Sequence, residues 1–212
     1  MSMVTNATYS GGNGNAMSGL GAGFGAIYDL QMADDCTGPL QTGTYVINQV
    51  CAASLTFLGV APATAVWVQV YADAGGVPAN TVAFQEIVPP GSFTSTPFTD
   101  TVFGFQGQTI CATITSITLP AGTWWFNIQP IDTTAGGDWF YQVRDANPPV
   151  GADIAVKDGQ PEHGTAFGGP HNVGYGFGTW TSSGAAGFGA GNAAFSVNGT
   201  LIPVEIDSFE IE

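Results

Sequence analysis

The amino-acid sequence predicts an all-β fold, an antiparallel β-sandwich of jelly-roll type, with an immunoglobulin-like sandwich as the alternative. Three observations carry this expectation. Val, Ile, Thr and aromatic residues recur in short alternating runs, the pattern of half-buried strands. Gly or Pro interrupts the runs at intervals of about 8–15 residues, close to the turn spacing of sandwiches. No segment sustains an apolar period of about 3.6, and Lys, Arg, Glu and Leu, all good helix formers, are scarce.

In chain order, residues 1–25 contain SGGNGNAMSGLGAGFG and read as an arm, either flexible or ordered only on a neighbour. One sandwich domain is expected over 26–202. AIYDLQM (26–32) is its first strand, and TYVINQVCAASLTFLGV (44–60) is long enough to bend or bulge. AVWVQVYAD (65–73) sets Val66, Val68 and Val70 against Trp67, Gln69 and Tyr71. TVAFQEIV (81–88) returns after the turn AGGVPAN. FGFQGQTICATITSITL (103–119) makes two strands or one long bent one. GTWWFNIQPI (122–131) is strong, and DWFYQVRD (138–145) is expected to pair with it across TTAGG. ADIAVKD (152–158) and GYGFGTWT (174–181) bracket a loop rich in Gly, Pro and His. NAAFSVNGTLIPVEI (192–206) leads into the tail, 203–212.

The tail raises a question of partnership. Val204 and Ile206 alternate with Glu205 and Asp207, and Phe209 and Ile211 resume one step out of phase, as a strand with a bulge at Asp207–Ser208 would. No turn or partner strand follows it in the sequence. Val204, Ile206, Phe209 and Ile211 are therefore the candidate set for insertion into a neighbour's sheet, where backbone hydrogen bonds supply affinity.

Composition narrows the function classes. Charged residues are 8% of the chain, about a third of the usual share. Lys and Arg total 2 against 16 Asp and Glu, for a formal net charge of −14. Nucleic acid and anionic membrane surfaces are poor partners for such a chain, since both need several basic residues. No apolar run reaches the roughly 18 residues of a membrane-spanning helix. The start, MSMVTNATYS, has neither the basic nor the apolar region of a signal peptide. The composition nonetheless reads as extracellular or cell-surface. Three cysteines, Cys36, Cys51 and Cys111, allow one disulfide in three ways and leave one thiol over. Cys51 and Cys111 are the candidate pair, because with Trp67 they occur in the order of an immunoglobulin core.

Three stretches together carry a resemblance: VWVQVYADAGGVPAN, ITSITLPAGTWWFNIQP, and FGTWTSSG followed by NAAFSVNGT. In this order they resemble the β-sandwich domains of bacterial secreted, multidomain surface proteins that bear C-terminal sorting or anchoring signals. The resemblance covers about residues 27–200. IPVEIDSFEIE is similar to the segment that often opens a following module or precedes a sorting domain in such proteins. The resemblance implies location and architecture, and it brings no catalytic residues.

The residues themselves offer little chemistry. Asp158, Glu162, His163 and His171 are metal-ligand types, but their spacing fits no known signature, and a solvated loop is the stronger reading. No G-x-S-x-G and no recognisable carboxylate pair is present, so no enzyme is expected. Calcium is the better candidate ion. Asp34, Asp35 and Asp73 follow neighbouring strands and are candidate ligands, although no D-x-D-x-D-G loop occurs and exposed turn carboxylates are the stronger reading. Trp125, Trp139, Tyr141 and Trp180 are candidates for a platform on which sugar rings stack, against the commoner role of aromatics in a core or interface. The expected function is a structural one: an extracellular, self-assembling surface or filament subunit, a homo-oligomer or polymer joined by terminal strand exchange. A secreted carbohydrate-binding module is the alternative, and a secreted hydrolase domain is third.

Overall fold

The computed structural model describes residues 2–5, 14–17, 20–21, 28–36, 39–57, 63–102, 105–131, 138–144, 155–158, 178–182, 184–185 and 192–203. Three short strands, β1 (Ser2–Thr5), β2 (Gly14–Met17) and β3 (Leu20–Gly21), precede β4 (Tyr28–Cys36) and the short helix α1 (Pro39–Thr42). Then come β5 (Tyr45–Phe57), β6 (Ala65–Asp73), β7 (Pro78–Val88), β8 (Phe93–Val102), β9 (Phe105–Leu119) and β10 (Trp124–Ile131). The last are β11 (Asp138–Arg144), β12 (Ala155–Asp158), β13 (Thr181–Ser182), β14 (Asn192–Ala193) and β15 (Phe195–Leu201).

The strands form the expected antiparallel β-sandwich, with almost no helix. The first sheet is organised by β5, which pairs with β9 on one side and with β15 and then β11 on the other. β8 continues this sheet beyond β9, and β1 continues it beyond β15. The second sheet runs β13-β12-β4-β3-β10-β6-β7, with β4 also pairing β10 directly. Between the sheets lies one continuous apolar core. Ile47, Val50, Ile110, Ala112, Phe195 and Val197 meet Met32, Val66, Val68, Val70, Phe126 and Ile128. Each large aliphatic side chain buried there stabilises the fold by about 1.5–3 kcal/mol.

Local sequence explains much of this. β6 begins and ends where its alternating pattern does. β5 is a single long strand with a register shift between Ile47 and Gln49 against β9, a bulge that bends it. Residues 105–119 make one strand and not two. The β6–β7 turn has Gly75 and Gly76 at φ of 80° and 89°, a region that favours glycine.

Four expectations need correction. β11 does not pair with β10; it joins the other sheet and pairs with β5, β2 and β14. β4 runs four residues past the predicted end, through Cys36. β8 was not foreseen, because FTSTPFTDTV lacks alternating apolar residues and carries a Pro. The immunoglobulin-like alternative loses its anchor. Cys51 and Cys111 face each other on neighbouring strands of one sheet, and Trp67 belongs to the other sheet, packed with Ile131. Of the 1–25 arm, the described pieces pair within the chain, β1 with β15, β2 with β11, and β3 with β4 and β10.

Gly199 sits where β15 shifts register against β5, and a Cβ there would run into the Val46 carbonyl oxygen and Ile47 Cα. Gly199→Ala is expected to cost about 1–3 kcal/mol by chemical denaturation. Gly178→Ala, whose Cβ would meet nothing within 4 Å, is expected to be near neutral in the same assay.

Candidate functional site

Antiparallel sheets often leave one face to water. Over β4, β10 and β6 the second sheet does not, and its outer face opens to water at Gln85 and Ile87 on β7. Its core-facing residues alternate with a second buried set: Gln31 on β4, Gln69 and Tyr71 on β6, and Trp125, Asn127 and Gln129 on β10. All six are polar or carry a polar end, so they need partners once out of water. Gln31, Gln69 and Asn127 find them in one another. Gln69 Oε1 accepts from Gln31 Nε2 at 2.5 Å and from Asn127 Nδ2 at 2.8 Å, joining three strands through one oxygen. The ladder continues from Gln69 Nε2 to Gln85 Oε1 on β7 at 3.5 Å. Beside it, Trp125 packs with Ala33, Tyr71, Ala155 and Trp180, and the Lys157 ammonium lies 5.9 Å from the centre of the Trp180 ring. This amide layer replaces the ion pairs that the composition denies the protein.

Two of the three candidate calcium ligands are placed differently from the expectation, while Asp73 is the exposed turn carboxylate expected. Asp34 and Asp35 are not exposed turn residues; they lie inside β4, 1% and 3% exposed. Asp34 faces the interior between the sheets, where Oδ2 accepts the Ala193 N–H at 2.7 Å and Oδ1 accepts the Asp35 N–H at 2.9 Å. It thus ties β4 to β14 across the sandwich. Asp73 ends β6, two strand spacings across the sheet and further along it, because β10 runs between β4 and β6 and pairs Asp34 and Asp35 in line with Val70 and Tyr71. Its carboxylate accepts the Gly75 and Gly76 N–H groups at 3.1 Å each and the Trp125 indole N–H at 2.9 Å. It closes the β6–β7 hairpin, a role that local sequence encodes in D-A-G-G. Among the described residues, no three His, Cys, Asp or Glu side chains converge as a metal site requires.

The aromatic candidates divide. Trp125 is fully buried and Trp180 is 7% exposed, so both serve the covered layer and offer no open ring face. Trp139 and Tyr141 lie on β11, and their side chains fall outside the described residues, as do Glu162, His163 and His171. A small cavity of about 10 Å³ beside Asp34 is lined by Met32, Phe126, Ile128, Ala193 and Phe195. It has room for roughly one water.

The cysteines are resolved. Cys51 and Cys111 form a disulfide with Cα atoms 4.0 Å apart, tying β5 to β9 at the centre of the first sheet. Such a bond places the chain in an oxidising environment. Cys36 is free and buried. Burial and then the neighbouring Asp35 and Asp34 push its thiol far above the usual range, so it stays neutral and unreactive.

The C-terminal end of β15 is the last feature. Leu201 pairs with Tyr45, and Ile202 donates its N–H to the Thr44 carbonyl at 2.9 Å. There the ladder loses its partner, since the chain before Thr44 turns into α1. Leu201 and Ile202 are 50% and 40% exposed, two of the three large apolar side chains so open among the described residues. Val204, Ile206, Phe209 and Ile211 lie outside the described residues.

Compared with known proteins, the chain matches no family model, no curated protein and no solved structure. The β-sandwich that the sequence resemblance implied is present, while kinship with secreted surface proteins has no support from those comparisons.

Two outcomes are expected from this geometry. A thiol-reactive probe applied to the native protein should label no cysteine, and after unfolding without reductant it should label one. Gln69→Leu should cost about 3 kcal/mol in urea unfolding, because it removes the acceptor that Gln31 and Asn127 share in a buried layer.

Proposed function

We propose that the chain is an extracellular structural protein, a surface or filament subunit that assembles with its own kind by passing its terminal strand to a neighbour. One observation carries the reading. The β15–β5 ladder stops at Ile202–Thr44, with Leu201 and Ile202 exposed, immediately before nine residues of strand-like alternation. A strand left without a partner is an aggregation liability that proteins usually blunt with Lys, Pro or bulges. A segment built to be donated makes that liability a function.

Other features support the reading without carrying it. The disulfide suits an oxidising exterior. The burial of Gln31, Gln69, Trp125 and Asn127 on the outer side of the second sheet suits a packed building block. The burial of Trp125 and Trp180 weakens the glycan-platform alternative. The resemblance to bacterial secreted surface domains belongs to the same proposal.

The test is electron microscopy with light scattering on the disulfide-bonded chain and on a form ending at Pro203. The full chain is expected to form regular polymers, and the shortened form to remain monomeric with an unchanged β-type circular dichroism spectrum. Because the chain carries a net charge of −14, assembly should strengthen as salt rises and screens like charges. A full chain that stays monomeric at every salt and protein concentration would overturn the proposal.

A further inference from the structure

Strand donation needs an acceptor, and among the described residues two strands longer than four residues end a sheet, whereas β1, β2, β13 and β14 also lie at an end but run four residues or fewer. One is β8, at the end of the first sheet; the other is β7, at the end of the second. We infer that the outer edge of β7 receives the strand 204–212 of a second copy. The inference rests on the strand-donation reading above and adds its acceptor.

Four observations favour β7. It is eleven residues long, its only Pro is its first residue, and its two register shifts against β6 both lie before Phe84, so the stretch from Phe84 to Val88 is not blunted in the usual way. β8, in contrast, carries Pro97 in its middle, and its pairing with β9 lapses between Pro97 and Thr101. β7 keeps unbroken register with β6 from Phe84 to Val88, and Glu86 holds it against the first sheet by accepting the Thr115 N–H at 2.7 Å. The edge is therefore preformed. Finally, β7 exposes Ile87 at 44%, whereas the open side chains of β8 at Thr94, Ser95 and Thr96 are all hydroxylic. An incoming strand of alternating Val, Ile and Phe gains more from the former.

Position argues for a second copy over the same one. The donor leaves from β15, two strands from β9, and β7 lies across the sandwich beside β9. Reaching it within one chain crosses two strand spacings and one sheet gap, roughly 15 Å, about half the roughly 30 Å that nine extended residues span. A neighbour's tail can pair along its whole length. Donor and acceptor are then different surfaces on opposite edges, a heterologous contact that repeats without closing.

The test mixes two singly substituted full-length chains, Ile87→Cys and Phe209→Cys, under mild oxidation. Native Cys36 is buried and Cys51 and Cys111 are bonded, so the added thiols are the reactive ones. A covalent heterodimer is expected from this mixture and not from Thr96→Cys with Phe209→Cys. Cross-linking through Thr96→Cys, or through neither position while polymers still form, would overturn the β7 assignment and leave strand donation standing. Internal cross-linking of the doubly substituted chain, with none in the mixture, would place the tail on its own copy and overturn the inference as well. Monomers throughout would remove the strand-donation reading itself, and the β7 assignment with it.

Discussion

Gln69 is the residue on which the second sheet most depends. Its side-chain oxygen accepts from Gln31 and Asn127, so three adjacent strands share one buried acceptor. In a low-dielectric layer such a bond is strong and its loss is expensive. The layer also fixes register, because a shift of one residue would exchange the amide face for the valine face of β6. The apolar core can then form on the other side, with Val66, Val68 and Val70 aimed at β5 and β9. Sheet order and core packing are thus two results of one alternation.

The same economy runs through the molecule. With two basic residues in the chain, ion pairs can do little, and carboxylates are used as acceptors for N–H groups instead. Asp34 takes the Ala193 N–H, Asp73 takes two glycine N–H groups and an indole, and Glu86 takes the Thr115 N–H. Charged acceptors make stronger hydrogen bonds than neutral ones. Each joins parts that backbone ladders do not: sheet to sheet for Asp34 and Glu86, and turn to strand for Asp73.

The parts of the fold that were legible in the sequence are those where local pattern and local structure coincide. β6 and β10 alternate strongly and appear where their patterns lie. The D-A-G-G turn has its mechanism written in it. What was not legible depends on distant partners. TTAGG between two strong strands suggested a hairpin, yet β11 is claimed by β5, more than eighty positions earlier, a pairing no local pattern reveals. β8 reads as loop because its residues are chosen for an edge. Asp34 and Asp35 looked exposed because carboxylates usually are. Their burial becomes intelligible only once Ala193 arrives from the far end of the chain. Trp125 and Trp180 looked like a platform for the same reason: nothing in the sequence says that the outer face of the sheet is covered.

The placement of Lys157 has a consequence for durability. Proteases that cut after basic residues have two positions to address in this chain, Lys157 and Arg144. Lys157 lies within β12, 8% exposed and paired opposite Gln31, and Arg144 is the last residue of β11, paired opposite Asn192. Cleavage needs an extended segment that can leave its neighbours, and loop tips supply such segments far more readily than strands in a ladder. By keeping its basic residues few and inside sheets, this protein withholds from that whole class of enzymes the foothold they require.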